Sequence, residues 1–449
     1  MSSASSSPAK YDYDLLVIGA GSGGMSAARL AAQHGKQVAI VEKSLVGGTC
    51  VNRGCVPTKL MVYAAEFAQQ QEVAQDYGWV NPEGLFDWSD FRQAMDEHIQ
   101  SIRNSQTDNL EAVDIIQAEA KFVDSYTLSI GERQVTAEFI LIAVGSQPLM
   151  PDLPGIEHAI TSRDIFKLET LPETILVAGG GYIGVEFSQI MKSFGCRVTL
   201  VDSDRYVLNG FDEDIQKRVK EILVEDGIRL IDGSHLASIE QGNGTLIANL
   251  DNGWSLKAQK VLCALGREAN IHSLNLDAVS VGVKNNRIAV NAQGQTKTSN
   301  IFAIGDCTDK MLLTPVAKAE AAVAVKAMFT DSQPQVDYFW IPSAVFMQPE
   351  VATVGLTESE ARRQHPKVET HCNTFTPLKY AITDKASKAF IKVVVNGHTE
   401  KILGIHLISP RAADIVQALV PALEKGLTKP ELDQTVGIHP SVGEEVFAL

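Results

Sequence analysis

The sequence predicts an α/β chain of two Rossmann-like dinucleotide-binding domains followed by a C-terminal α+β domain, and three observations predict it. A strand, a glycine-rich turn, a helix and a second strand ending on an acid occur twice. The acid arrives 23 residues after the first glycine of its turn in both copies, Gly19 to Glu42 and Gly179 to Asp202. After residue 336 the texture changes to strands paired by short turns beside amphipathic helices. At 449 residues the chain has room for such a plan, given roughly 150 residues per domain. Its 45% hydrophobic and 21% charged residues exclude collagen, coiled coil and general disorder. With 39 basic against 54 acidic residues the formal net charge is -15. That charge repels phosphate backbones and anionic headgroups, so we expect neither nucleic acid nor membrane as a partner. No run approaches the ~20 apolar residues of a bilayer span. The start lacks the apolar region of an export signal, so residues 1–10 read as a disordered tail of a cytoplasmic protein.

The first unit opens with the strand Asp14 to Ile18, turns through Gly19-Ala-Gly21-Ser-Gly-Gly24, continues as a helix to Gly35 and returns as the strand Val38 to Val41, ending on Glu42. Glycine permits the tight turn and lets backbone N–H groups approach a pyrophosphate, which the helix N-terminus favours electrostatically. The acid accepts ribose hydroxyls. Residues 175–202 repeat the design through Gly179-Gly-Gly181-Tyr-Ile-Gly184, with a helix from Val185 to Phe194 and a strand from Val198 to Val201. Two sites of this kind most simply serve one fixed and one exchangeable cofactor, a flavin dinucleotide (FAD) and a nicotinamide that reduces it.

Just after the first unit stands Gly47-Gly-Thr-Cys50-Val-Asn-Arg-Gly-Cys55-Val-Pro-Thr-Lys59. The other four of the six cysteines lie far apart, which suits a reducing compartment rather than a stapled scaffold. A metal reading needs two further ligands, and no other Cys or His lies nearby, so no metal is expected. A pair of inert buried thiols is the bland alternative. A redox disulfide fits best, because four intervening residues at a helix start allow closure and a helix N-terminus favours a thiolate. Lys59, four residues beyond Cys55, shares its face if the segment is helical and places positive charge near thiolate or flavin.

Leu141 to Pro148, containing Gly145, and the Pro-rich Pro151 to Pro154 read as a domain crossing. After the second unit a strand from Val261 to Gly266 ends on Arg267, and Ile301 to Gly305 ends on Asp306, an acid suited to a hydroxyl of the flavin's chain or simply to capping a helix. From Phe339 we expect strands Val351 to Val354, Phe390 to Val395 and Ile402 to Ile408, and helices Glu358 to Gln364 and Ala412 to Lys425. Near the end, His439-Pro-Ser-Val-Gly-Glu444-Glu445 offers an imidazole with a carboxylate five residues on. Among 10 histidines a single one is usually structural. A His oriented by a carboxylate is what thiol chemistry needs, because a thiol must lose and regain a proton as a disulfide is cleaved.

On these motifs the chain resembles the flavoprotein disulfide reductases, the class of glutathione reductase, dihydrolipoamide dehydrogenase and mercuric reductase, and most closely glutathione reductase. The likeness runs from about Tyr13 to Glu445. It implies that Cys50 attacks the substrate, that Cys55 forms a charge-transfer pair with the flavin, and that His439, oriented by Glu444, is the acid–base. Lys59 and Glu186 look like the ion pair between flavin and nicotinamide. It assigns FAD to Gly19, Gly21, Gly24, Glu42, Gly48, Thr49, Lys59, Gly145, Asp306 and Thr314. It assigns NAD(P)H to Gly179, Gly181, Tyr182, Ile183, Glu186, Asp202, Ser203, Gly266 and Arg267. The implied domains are 11–153 with 275–335 for FAD, 154–274 for NAD(P)H, and 336–449 for dimerisation. The implied assembly is a homodimer in which the His–Glu ending of one subunit completes the thiol site of the other.

Ser22 and Arg29 match positions that touch glutathione, whereas Leu30, Gln106 and Ala322 stand where that family offers an Arg, a Tyr and another Arg. The substrate is therefore expected to be a small disulfide other than glutathione disulfide. Dihydrolipoamide dehydrogenases usually carry a second His where this chain has Gly437, and the usual mercuric reductases carry a C-terminal Cys pair that the residues up to Leu449 lack. Both families stay as alternatives, as does a flavin diaphorase or oxidase, which would not need the His–Glu pair. At the nicotinamide ribose, Asp202 and Asp204 would repel the 2′-phosphate of NADPH, and Ser203 and Asn209 replace the arginines of glutathione reductases. NADH is the expected donor over NADPH, with Arg205, helped by Arg197 or Arg218, as the competing feature.

Overall fold

The computed structural model describes residues 10–80, 84–384 and 387–449. Of the expected tail only Lys10 falls among them. The chain forms two compact units. The first takes in the residues up to Thr58, then Phe91–Leu149 and Arg267–Val336; the second takes in Lys59–Asp90, Met150–Gly266 and Asp337–Leu449.

In the first unit the strands Asp114–Gln117, Val38–Glu42, Tyr13–Ile18 and Arg133–Ile142 lie side by side in parallel, and Ile301–Ala303 adds to the far edge of Arg133–Ile142. The strand residues alternate between two cores. Leu16, Ile18, Val41 and Ile142 face one cluster; Leu15, Val17, Ile40 and Leu141 face the other, where the helices Ser22–Gln33 and Thr314–Phe329 pack. Burial on both faces explains why these strands read as unbroken apolar runs. The ten-residue strand Arg133–Ile142 serves twice. Its first four residues pair with Thr127–Ile130 in an antiparallel hairpin series that the sequence reading did not anticipate, and the rest run in the parallel sheet. Register aligns Ile18 with both Val41 and Ile142, and Ile142 with Ala303. The carboxyl ends of four strands thus finish at one level, where Gly19, Glu42, Ala143 and Ile304 follow.

The second unit holds a five-stranded parallel sheet in the order Arg229–Ile231, Arg197–Val201, Thr174–Ala178, Lys260–Cys263, Ile160–Thr161. The helix Tyr182–Ser193 begins directly after its glycine turn. Its C-terminal part is an antiparallel sheet ordered Ser343–Val345, Glu350–Gly355, Ile402–Ser409, Ala389–Asn396, Val368–Phe375, with the helix Ala412–Glu424 burying Ala412, Val416, Val420 and Leu423 against it. The three expected strands and both expected helices of this part are present. Val368–Phe375 went unread because it is an edge strand whose Glu369, His371 and Asn373 alternate with less polar residues and mute the apolar signal.

Within this sheet Lys392 is a lysine in an apolar strand, 2% exposed, and its ammonium holds three carboxylates: Asp212 at 2.8 Å, Asp214 at 2.7 Å and Glu358 at 2.7 Å. Asp212 caps the helix Glu213–Glu225, and its other oxygen accepts the backbone N–H of Glu358 at 3.0 Å. Burial opposes the ammonium's charge, but the hydrogen bonds to the three acids outweigh it and hold its pKa above the ordinary lysine value. Removing the cation leaves buried Asp212 unneutralised. We expect Lys392→Met to lose about 3–5 kcal/mol of stability in chemical denaturation; a loss under about 1 kcal/mol, the surface-pair range, would show that the cluster is not buried in solution.

Candidate active site

The thiols sit where the first glycine turn meets a short helix. Gly48 has φ +61°, and a Cβ there would lie 2.7 Å from the Cα of Gly21, so two backbones touch and only glycine fits. The helix Gly48–Arg53 carries Cys50, Gly54 interrupts it, and Cys55 is the first residue of the long helix Cys55–Asp76. The expected helical start is therefore two helices, with Lys59 one turn into the second. Cys50 is half-buried and Cys55 exposed, and neither is bridged. The Cys55 Sγ lies 3.7 Å from Thr314 Oγ1 at the start of the helix Thr314–Phe329.

The two thiols share one charge. A hydrogen bond from Cys55 lowers the Cys50 pKa to about 6 against the cost of burial, with help from Thr314, the Lys318 charge and Ser22. Cys55 is pushed far up because it donates that bond and would ionise beside an existing thiolate. Cys50 is thus the nucleophilic member at neutral pH. Lys318 escaped the sequence reading, although its position four residues after Thr314 on one helix was a usable signal.

Around the first turn, Gly19 has φ +107° and a Cβ there would stand 2.5 Å from Ala143 O, while one on Gly24 would collide with Gly19 O. Gly179 and Gly184 repeat both contacts, against Ala264 O and Gly179 O. Helices Ser22–Gln33 and Tyr182–Ser193 start on Gly21 and Gly181 with no side-chain cap and no acid in the first turn. Their leading N–H groups are left for a phosphate, so both cradles fit dinucleotides. Glu42 is fixed by accepting Ala20 N–H and Ser44 N–H, each at 2.7 Å. Asp306 accepts Ser146 Oγ–H at 2.6 Å. Arg267, expected at the nicotinamide, lies in the first unit: it donates to Ser146 Oγ and Ser146 O at 2.8 Å and approaches Asp306 at 3.9 Å. Gly145 and Gly266 both take positive φ with open space around them.

In the second unit Asp202 accepts the N–H groups of Gly180 and Asp204, and Asp204 accepts Asn209. Ser203, Asp204 and Arg205 are exposed. Arg197 pairs loosely with Glu173 at 3.9 Å, and Arg218 donates to Thr374 at 3.0 Å while covering the Phe390 ring. Tyr182 is exposed and Ile183 half-buried at the helix start.

The expected Lys59–Glu186 ion pair is not formed. Lys59 instead binds Glu350 at 2.7 Å and lies 4.0 Å from the centre of the Phe346 ring, whereas Glu186 accepts the Phe346 N–H at 2.9 Å. Glu350 is itself fixed at the start of Ala412–Glu424 by Ala413 N–H at 3.3 Å. It is 291 residues from Lys59 in sequence, so no local pattern announces it. Burial raises Glu186 to about 7, opposed by the Phe346 N–H and Lys59.

His439 is exposed, and its Nδ1 meets Glu444 Oε1 at 3.1 Å, with Ser441 N–H fixing the same oxygen at 3.1 Å. Donation from Nδ1 to the carboxylate turns Nε2 away from Glu444, where it can exchange protons. A Cβ on Gly437 would stand 2.6 Å from the Glu444 Cβ. The position therefore has no room for a second histidine while Glu444 faces His439. Among the described residues no three His, Cys, Asp or Glu side chains gather as for a metal ion.

Residues 13–321 match the family model for pyridine nucleotide-disulphide oxidoreductases, and residues 341–448 match the dimerisation domain of that family. A glutathione reductase from Nostoc sp. (strain PCC 7120 / SAG 25.82 / UTEX 2576) is 41% identical, with 98% of this chain and 99% of that protein aligned. A mercuric reductase from Lysinibacillus sphaericus is 33% identical over 96% of this chain and 81% of its own length. Among solved structures, the HOCl-induced flavoprotein disulfide reductase RclA from Escherichia coli superposes with a TM-score of 0.87 at 26% identity, covering 97% of this chain and 99% of that one.

The environments of Cys50 and Glu186 each set an expected outcome. In the reduced protein, iodoacetamide should label Cys50 before Cys55 with a pH midpoint near the about 6 of its thiol, and Thr314→Val should raise that midpoint; labelling of Cys55 first would contradict the assignment. Glu186 binds its proton more tightly folded than unfolded, so its contribution to stability is present below its ordinary value of 4.5 and lost as pH rises to about 7. The stability gained by Glu186→Gln should therefore grow from pH 5 to pH 8 in denaturant titrations. An equal difference at both pH values would show that Glu186 is not buried.

Proposed function

The chain belongs to the pyridine nucleotide-disulphide oxidoreductase family, and from that premise we propose which of its residues do the chemistry and on what. It is an NAD(P)H-dependent flavoprotein disulfide oxidoreductase of the glutathione-reductase-like kind. The observation that carries the residue assignment is the thiol pair: two adjacent unbridged cysteines sharing one charge, with the half-buried Cys50 activated.

FAD would be held by the first turn, with Gly19, Gly21 and Gly24 for the pyrophosphate, Glu42 for the ribose, and Gly48, Thr49, Gly145, Asp306, Thr314 and Lys59 for the rest. When bound it supplies the two-electron relay between the reduced nicotinamide and the thiols. Cys50 thiolate attacks one sulfur of the substrate disulfide; a mixed disulfide forms and the first thiolate leaves. Cys55, as thiolate, then attacks the Cys50 sulfur, closing the Cys50–Cys55 bond and releasing the second thiolate. His439, whose ring Glu444 orients, relays the protons: it takes that of the Cys50 thiol and gives it to the first leaving thiolate, then takes that of Cys55 and gives it to the second. The matched dimerisation domain supports a homodimer, in which His439 serves the thiols of the second copy. The other four cysteines are also unbridged, which suits a cytoplasmic protein, and no helix among the described residues is long and apolar enough to cross a membrane.

The substrate is a small disulfide other than glutathione disulfide, because Leu30 and Ala322 offer no guanidinium to its carboxylates. Each absent charge-assisted contact is worth about 1.5–3 kcal/mol. NADH is the donor: Asp202 and Asp204 face the 2′ position, Arg197 and Arg218 are engaged with Glu173 and Thr374, and Arg205 alone is left for a phosphate.

Steady-state kinetics test both readings. Cys50→Ser and Cys55→Ser should each end disulfide turnover, and full activity in both would refute the thiol assignment. The kcat/KM for NADH should exceed that for NADPH, with Asp202→Ala plus Asn209→Arg reversing the order; a wild-type preference for NADPH would overturn the donor assignment.

A further inference from the structure

In a chain of net charge -15, three of the helices around the thiols carry the opposite sign, and the fourth, Cys55–Asp76, has Lys59 as the charge nearest Cys55, its three acids starting at Glu66. Ser22–Gln33 has one charged residue, the exposed Arg29. Gly48–Arg53 has one, Arg53. Thr314–Phe329 has Lys318, Lys326 and a single acid, Glu320, which is turned inward, 7% exposed, and occupied by Gly305 N–H at 2.7 Å. The three helices therefore present cations and no available carboxylate.

Lys318 is the exposed cation with the most direct geometry. Thr314, one turn earlier on the same face, stands 3.7 Å from Cys55. A Cβ on Gly23 would lie 3.3 Å from the Cβ of Ala317, so the first and last of these helices touch there, with Ser22 just before that contact and Lys318 just after it. Ser22 and the Lys318 charge both favour the thiolate of Cys50. An ammonium one turn from the residue that meets the thiols, with no ion-pair partner among the described residues, attracts an anionic group placed a few bonds from the disulfide.

We propose that Lys318 is a specificity-determining residue that selects disulfides bearing a carboxylate or similar anion close to sulfur. This rests on the disulfide reductase reading and names the substrate class it leaves open. It also distinguishes the chain from a site in which the anions lie far from sulfur and are held by peripheral arginines, since those positions are Leu30 and Ala322.

The test uses the FAD-loaded enzyme with NADH and three disulfides of similar size: 3,3′-dithiodipropionate (dianion), bis(2-hydroxyethyl) disulfide (neutral) and cystamine (dication). Wild type should prefer the dianion. Lys318→Gln should lower the dianion-to-neutral ratio of kcat/KM by about fivefold, the upper range for an exposed ion pair, mostly through KM, and the dianion-to-dication ratio by more. Lys318→Arg should retain the preference, and added salt should erode it in wild type but not in Lys318→Gln. An equal loss on all three disulfides would overturn the proposal and make Lys318 a residue that acts only through the Cys50 thiolate. Unchanged ratios would overturn it outright. No oxidation of NADH or of NADPH with any of the three by wild type would instead sink the disulfide reductase assignment on which the proposal stands, whereas oxidation of NADPH alone would overturn only the donor reading, and the ratios are then read with NADPH.

Discussion

The first unit depends on backbone touching backbone. Gly48 against the Cα of Gly21, Gly24 against Gly19 O, and Gly19 against Ala143 O are three approaches at which any side chain collides. Together they bind the dinucleotide turn, the strand that follows the hairpin series and the thiol helix into one object. Because the parallel strands end level, at Ile18, Val41, Ile142 and Ala303, that object lies at their carboxyl edge, where open α/β sheets hold ligands. Close packing of this kind transmits small displacements, so the position of Cys50 is inherited from the turn that cradles the cofactor rather than set by its own short helix.

Much of this was readable from one sequence because it is local. The two glycine turns, their acids at a common offset, the cysteine spacing and the His–Glu ending are each contained in a few tens of residues, and propensity and pattern act over that range. What escaped is nonlocal. Glu350 captures Lys59 from 291 residues away, Ser146 and Asp306 take up Arg267, and Lys392 finds two of its three acids on a helix start about 180 residues earlier. A charged residue in sequence declares a need for a partner without naming it. The resemblance therefore supplied Glu186 as the partner of Lys59 and the nicotinamide as that of Arg267, and the packing of this chain supplies others.

The electrostatics are divided by region. Acidity dominates the chain as a whole, while the helices Ser22–Gln33, Gly48–Arg53 and Thr314–Phe329 stay basic because their one acid is used internally. Buried charges are paired, as at Lys392, or left near neutrality, as at Glu186. A net charge of -15 works against binding polyanions, while the proposed role of Lys318 needs positive potential at one sulfur only. Such focusing speeds the approach of small anions without creating affinity for large ones.

The crowding of Gly437 against Glu444 has a consequence for how such chains can diverge. A histidine at 437 is incompatible with Glu444 as it stands, since even a Cβ comes within 2.6 Å of the glutamate's own Cβ. The two sites are therefore coupled: a side chain at 437 requires the segment that carries Glu444 to shift. Which residue can stand at 437 is thus set by the backbone that anchors the imidazole, two residues away from the imidazole itself.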